Sequence, residues 1–129
     1  MRPIGDHRRG RPVRIPMTSA LRDQFAMQLH ISLRLLETAP DENTFEALAV
    51  IFNVVQLAIK DDARRSHDAR LINGGAATLN QHQQRILAGR PLRPHEIAPI
   101  RVGVNTIDAI LGKVSVDRLY LAMQTLRRI

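Results

Sequence analysis

The stretch from Thr44 to Ile59, TFEALAVIFNVVQLAI, constrains the fold more than any other part of the chain. Drawn as a helix, it is apolar on nearly every side. Only Glu46, Asn53, Gln56 and Lys60 line up as a thin polar seam, spaced 7, 3 and 4 residues apart. A helix that apolar must be covered on most of its surface, which makes it the central helix of an all-α domain. A bilayer span needs roughly 20 apolar residues. This run is shorter and is flanked by charge, so the expectation is a soluble core helix.

The rest of the chain supplies helices to cover it. Ala20 to Glu37 carries Leu21, Phe25, Leu29, Leu33 and Leu36 on one stripe. Met27, Ile31 and Leu35 form a second stripe beside it, so both are expected to face neighbours. Thr18 or Ser19 offers an N-cap oxygen. Pro40 ends this first helix, because the residue before a proline is pushed out of the α region. Asp41 or Asn43 can cap the central helix, and Asn43 with Glu46 has capping-box spacing.

The central helix is expected to fray between Lys60 and Arg65. A third helix, capped by Ser66 or Asp68, would run to Ala88, with Ile72, Ala76, Leu79 and Ile86 inward. Gly74-Gly75 either precede its true start or permit a close helix crossing. Gly89 sits where a left-handed C-terminal cap belongs, with Pro91 beyond it. Leu92-Arg93-Pro94-His95-Glu96 starts the fourth helix or a turn before it. The easier solution is a short turn over 93–98 and a main helix from Pro99 to Leu111, because an interior proline clashes with the previous turn. Its inward residues would be Ile100, Val104, Ile107 and Leu111, and Gly112 would cap it. A fifth helix, Val116 to Arg127, would turn Leu119, Met123 and Leu126 inward. The predicted architecture is all-α: a five-helix bundle over 18–129, preceded by a flexible arginine-rich arm over 1–17.

At 129 residues the chain is sized for one domain with a core of its own. It has no cysteine, which removes thiol catalysis, disulfides and thiolate metal sites. No secretory leader or membrane span is read, and a cytoplasmic location is expected. The net charge is +7 and uneven. Residues 1–16 hold five arginines against Asp6, a balance of +4, and residues 17–129 hold fourteen basic against eleven acidic side chains, a balance of +3. A basic tail on a nearly neutral body suggests a polyanionic partner. The alternative is a general excess of arginine, since the chain has seventeen Arg and two Lys.

The arm carries the most specific pattern. Arg8-Arg9-Gly10-Arg11-Pro12 contains Arg-Gly-Arg-Pro, which resembles the core of an AT-hook. Glycine lets the backbone approach the floor of the minor groove. Proline holds the chain extended, and the arginines reach the negative potential of a narrow AT-rich groove. Arg14 adds a further cation, whereas Asp6, His7 and Val13 interrupt the basic run. Arg64 and Arg65 begin a second basic cluster with Arg70, Arg85, Arg90 and Arg93. Those residues could share one end of the molecule, although Asp61, Asp62 and Asp68 interleave with the first three as a salt-bridged face would. The candidate nucleic-acid-binding residues are therefore Arg8, Arg9, Gly10, Arg11, Pro12, Arg14, Arg64 and Arg65.

Near the C-terminus, Ala109-Ile110-Leu111-Gly112 and Val114-Ser115-Val116 have some of the character of a helix-turn-helix. Arg118, Tyr120, Gln124 and Arg127 would then face outward. An ordinary helical hairpin closing the bundle is the preferred reading. The five histidines lack metal-ligand spacing. Asp61 and Asp62 point about 100° apart on a helix, and no serine sits in a nucleophile elbow. Neither Gly74-Gly75 nor Gly112-Lys113 is a phosphate loop. No enzyme activity and no cofactor are expected. With no Trp and one Tyr, stacking platforms for single strands are scarce, so duplex DNA is the favoured nucleic acid.

The basic arm ending in Arg14-Ile15-Pro16-Met17, followed by a small helical body, is similar in plan to small phage- and plasmid-borne proteobacterial proteins loosely labelled Fis-family regulators. That resemblance implies a DNA-binding regulator with a helix-turn-helix. Two functions are expected on this reading. The first is a non-enzymatic DNA-binding accessory or regulatory protein of a mobile element. The second is an inhibitor or adaptor that acts on a host protein complex through the bundle surface, with homodimerisation open in either case.

Overall fold

The computed structural model describes residues 19–113. Among them the chain is helix and turn, without a strand: α1 (Ser19–Thr38), α2 (Glu42–Ile59), α3 (Ser66–Gln81), α4 (Gln83–Leu87) and α5 (Pro94–Ile110). Single 3-10 turns lie at Ala63–Arg65 and Leu111–Lys113. The all-α bundle is as the sequence predicts. Its five helices are not quite the five expected, because the third is divided in two and the span 116–127 lies outside the described residues.

The four long helices run alternately up and down. α1 packs on α2 and α5, and α3 packs on α2 and, most closely, on α5. Cross-links confirm that α1 and α5 are antiparallel: His30 Nε2 lies 3.1 Å from Asp108 Oδ2, and Glu37 pairs with Arg101. α4 closes one end against α2. That end is pinned by the Leu92 N–H, which donates to the Leu36 carbonyl at 2.9 Å.

The core is centred on α2. Leu48, Phe52, Val55 and Ile59 are buried along one side, and Ile51, Val54 and Ala58 extend the buried arc. By length and composition α2 could cross a membrane, with a mean hydropathy of 1.2 over its 18 residues. Length therefore does not separate a core helix from a span, contrary to the expectation. What places α2 here is that its apolar side chains are packed against its neighbours. The predicted polar seam is correct: Glu46, Asn53 and Lys60 are exposed, and Gln56 is half-buried and donates to Asn73 Oδ1 at 2.7 Å.

α1 buries Leu29, Leu33 and Leu36 as predicted. Its second stripe does not face a neighbour. Leu35 is half-buried, but Met27 and Ile31 are 62% and 51% exposed. They point away from the Leu29–Leu33 line because residues two removed along a helix differ by about 200°.

Close approach of α3 and α5 explains the paired glycines. Both lie inside α3, which starts at Ser66. A Cβ on Gly75 would stand 3.0 Å from the Pro99 carbonyl oxygen and 3.3 Å from Gly103 Cα. Gly103 on α5 faces the same crossing, and a Cβ there would sit 2.8 Å from Phe52 Cε1. The phenyl ring from α2 thus fills the space that two missing side chains leave. Gly74 has open space where a Cβ would go. Gly74→Ala is therefore expected to stabilise the protein by about 1 kcal/mol, the helix-propensity difference between the two residues. An upward shift of the urea midpoint at unchanged slope would show it.

Several boundaries depart from the sequence reading. The N-cap of α2 is Asp41, with Thr44 as its reciprocal partner rather than Asn43 with Glu46. Asp41 Oδ1 accepts the Thr44 N–H at 2.9 Å, and Thr44 Oγ1 accepts the Asp41 N–H at 3.3 Å. A threonine hydroxyl closes the box as well as a carboxylate, because it can both donate and accept.

α2 ends at Ile59, and Asp62 Oδ1 then accepts the Arg64 N–H at 3.0 Å to start the 3-10 turn. Asp61 and Asp62 therefore lie beyond the helix. α3 follows directly from that turn, with Arg65 rather than Ser66 or Asp68 at its N-cap position and no side-chain cap. α3 breaks at His82 before α4, although Ile86 is still buried as expected.

Gly89 takes the predicted left-handed conformation, with φ of +77°. Gly112 does not. It lies in a 3-10 turn that continues α5.

The start of α5 is the largest correction. It begins at Pro94, not Pro99. Proline is well suited to a first helical position, where its missing N–H has no partner to lose. Glu96 then reaches back, with Oε1 accepting the Arg93 N–H at 2.8 Å. Pro99 is tolerated inside the helix. The bond lost is to the carbonyl of His95, an exposed residue that water can reach.

Glu96 is the centre of a cluster that spans three segments. Besides the Arg93 N–H it binds the Arg85 guanidinium, and His82 Nδ1 lies 3.9 Å away. Arg85 also donates to the Pro91 carbonyl at 2.9 Å, so this cluster ties α4, the following loop and α5 together. The Arg93 N–H holds the Glu96 carboxyl below the usual range. Partial burial opposes that shift, and the Arg85 charge reinforces it. The Asp41 carboxyl is likewise lowered, chiefly by the Thr44 N–H.

A carboxyl with a lowered folded-state pKa contributes stability above its unfolded value, and that contribution is lost as the pH falls through its folded value. The protein is therefore expected to lose Tm as pH drops below about 4. Glu96→Gln and Asp41→Asn should each start from a lower Tm at pH 7 and show a smaller acid loss than the parent. An identical acid loss in both variants would count against this assignment.

Candidate functional site

Two regions could meet a partner: the basic residues at the α2–α3 turn, and the exposed face of α1. Of the sequence-predicted site residues, Arg8, Arg9, Gly10, Arg11, Pro12 and Arg14 lie outside the described residues. Arg64 and Arg65 sit on the 3-10 turn between α2 and α3. Arg64 projects with its side chain 91% exposed and pairs with Asp62 at 3.4 Å. Arg65 is held closer to the body and pairs with Asp68 at 3.4 Å. Two of the three interleaved aspartates, Asp62 and Asp68, therefore make the salt bridges that the sequence suggested.

The wider cluster does not assemble at one end. Arg64 and Arg65 precede α3, whereas Arg85, Arg90 and Arg93 follow it. The 16 residues of α3 separate them by about 24 Å at 1.5 Å per residue. Arg85 is also committed to Glu96 and Pro91. The sequence reading missed this because it had no way to fix the length of α3 across the two glycines.

Beside the α2–α3 turn is an open concavity of about 530 Å³, lined by Lys60, Asp61, Asp62, Ser66, Arg70 and Asn73 with Ile59, Ala63 and Ala69 beneath. Ser66, Arg70 and Asn73 share a face of α3 because they are spaced 4 and 3 residues apart. That spacing was legible in the sequence; the turn that sets Lys60 opposite it was not. The lining mixes two cations with two carboxylates. Such a surface can accept hydrogen bonds and ion pairs from an exposed partner, and it is no enclosed small-molecule pocket.

His30 is an exposed histidine bonded to Asp108. Among the described residues, no three His, Asp or Glu side chains are placed to hold a metal ion. The segment from Ala109 to Val116, for which the sequence favours a helical hairpin over a helix-turn-helix, is described only as far as Lys113. There α5 passes through a 3-10 turn, and the remainder lies outside the described residues.

Electrostatically the described body is almost neutral. Residues 19–113 hold eleven basic and ten acidic side chains, a balance of +1. Five of those arginines, Arg22, Arg64, Arg65, Arg85 and Arg101, have carboxylate partners. Of the +7 on the whole chain, +4 lies in residues 1–18 and +2 in residues 114–129. No family model, curated protein or solved structure matches this chain.

Proposed function

We propose that the protein is a non-enzymatic, cytoplasmic DNA-binding accessory or regulatory protein of a mobile element, gripping duplex DNA with its arginine-rich arm. The observation that carries this reading is the charge distribution. The helical body balances its own charge to within +1, while residues 1–18 concentrate +4 around Arg-Gly-Arg-Pro. A chain that neutralises its body and concentrates most of its net charge in its first residues has its strongest electrostatic attraction for a polyanion there. Arg9, Gly10, Arg11 and Pro12 are the groove-reading core. Arg8 and Arg14 flank it with phosphate contacts, and the exposed Arg64 and neighbouring Arg65 add a weaker contact from the body. No cofactor enters this function, and no membrane partner is proposed.

The test is fluorescence anisotropy of labelled AT-rich and GC-rich duplexes with the full chain and with R8Q/R9Q/R11Q/R14Q. The full chain is expected to bind the AT-rich duplex more tightly, and the variant should lose both affinity and preference. Equal binding by the two chains would overturn the assignment to the arm.

One observation favours a second reading. Met27 and Ile31 are one turn apart on the outer face of α1 and more than half exposed. An apolar pair of that kind suits a host protein complex, or a second copy of the chain, as partner. On that reading Met27→Ser/Ile31→Ser would abolish partner binding without touching DNA affinity.

A further inference from the structure

The apolar pair on α1 is one half of a larger face. His30 and Glu37 mark the side of α1 toward α5, because they bond Asp108 and Arg101 there. Met27, Ile31 and Leu35 are spaced four residues apart, and such a row drifts about 40° around a helix at each step. Here it drifts away from α5 and toward α2. Exposure falls accordingly, from 62% at Met27 to 51% at Ile31, and Leu35 is half-buried.

α2 carries the matching row. Gln56 marks its side toward α3 through the bond to Asn73. Ala58 and Val54 are buried on the side that α1 covers, and Val50, one turn earlier, emerges from that contact 52% exposed. α1 ends at Thr38 and α2 starts at Glu42, so residues equally distant from Pro40 stand level across the hairpin. Ile31, nine residues before Pro40, and Val50, ten after it, are therefore level on the outer surface of the α1–α2 pair.

Opposite charges edge this face. Arg34 flanks Ile31 on the side away from α2, and Glu46 flanks Val50 on the side away from α1. Both are exposed, and both are six residues from Pro40. Neither has an ion-pair partner among the described residues.

We propose that the outer face of the α1–α2 hairpin binds a second copy of this chain, with each α1 lying over the partner's α2. The two-fold axis runs along the helices. Rotation about it exchanges the two edges and keeps every residue at its own level. Ile31 then covers the partner's Val50, and Arg34 meets the partner's Glu46, twice in each dimer. This rests on the apolar-patch reading above and commits that patch to one occupant; it does not depend on DNA binding. The face is about 27 Å long and about two helix diameters wide, on the order of 500 Å² per copy. That area is at the small end for a specific interface, so the dimer should be reversible, with a Kd roughly in the micromolar range.

The test is sedimentation velocity of the full chain over about 1 to 200 μM, a range set by the size of the interface. The unsubstituted chain is expected to pass from monomer to dimer across it. Ile31→Asp should hold the chain monomeric. R34E should weaken association about tenfold, because two attractive edge pairs become repulsive. R34E/E46R should restore it, which a variant that merely failed to fold could not do. Helical circular dichroism should be unchanged in all three, since each replaced side chain is exposed. A monomer over the whole range would overturn the dimer and leave a host protein as the partner of the patch. A dimer indifferent to Ile31→Asp would overturn the patch reading as well. A dimer lost in Ile31→Asp but unmoved by R34E would overturn the seating of α1 on the partner's α2.

Discussion

Replacing Phe52 with alanine is expected to destabilise the protein by about 3–5 kcal/mol, the usual loss for a fully buried phenylalanine. Phe52 is completely buried, and its ring occupies the space between Gly75 and Gly103 where α3 and α5 cross. The glycines are the other half of the same fit. Gly103→Ala would press a methyl to 2.8 Å from a fully buried ring. Gly75→Ala would press one to 3.0 Å from the Pro99 carbonyl, which is backbone and yields only if α5 moves. Each should lose about 1–3 kcal/mol through overpacking, despite alanine being the better helix former.

The sign reversal between neighbours is the sharp part. Gly74→Ala should stabilise and Gly75→Ala destabilise, one residue apart in the same helix. The double change Phe52→Leu/Gly103→Ala should recover part of the loss, because the smaller side chain makes room for the methyl. If Gly75→Ala and Gly103→Ala both raised the urea midpoint, the crossing would not be as tight as described.

The second large effect concerns binding. If the arm carries the grip, R8Q/R9Q/R11Q/R14Q removes four cations and with them about 3.6 of the salt slope, at roughly 0.9 per contact. Affinity at low salt should fall by orders of magnitude, while Tm stays within about a degree, as expected of a change confined to a DNA-gripping arm. A binding loss that came with a loss of Tm would point instead to a structural role for the arm.

How much of this was legible beforehand depends on what sets each feature. The buried arc of α2 and the Leu29–Leu33–Leu36 stripe follow from periodicity, because a helix repeats every 3.6 residues whatever surrounds it. Gly89 and Pro91 announced their turn for the same local reason.

The start of α5 was misread because a proline's local penalty was weighed without the carboxylate at Glu96 that anchors the turn before it. Met27 and Ile31 were misplaced because apolarity alone does not say which of two adjacent stripes has a partner. The choice between two roles for Gly75 was left open by the sequence, since only the partner helix, with Gly103 and the Phe52 ring, makes a close crossing necessary. Of the candidate site, the charge split was fully readable. The separation of Arg64 and Arg65 from Arg85, Arg90 and Arg93 was not, because it depends on the length of α3.

The most direct measurement of the central claim is the salt dependence of binding of the unsubstituted chain to an AT-rich duplex. The four arm arginines and the exposed Arg64 bring at least five cations to the phosphates on this account. The slope should therefore be about −4.5 or steeper, and affinity should fall several-hundred-fold between 50 and 200 mM salt. Affinity that changed by less than about threefold over that range would contradict the claim, because a grip made of arginine and phosphate cannot be indifferent to salt.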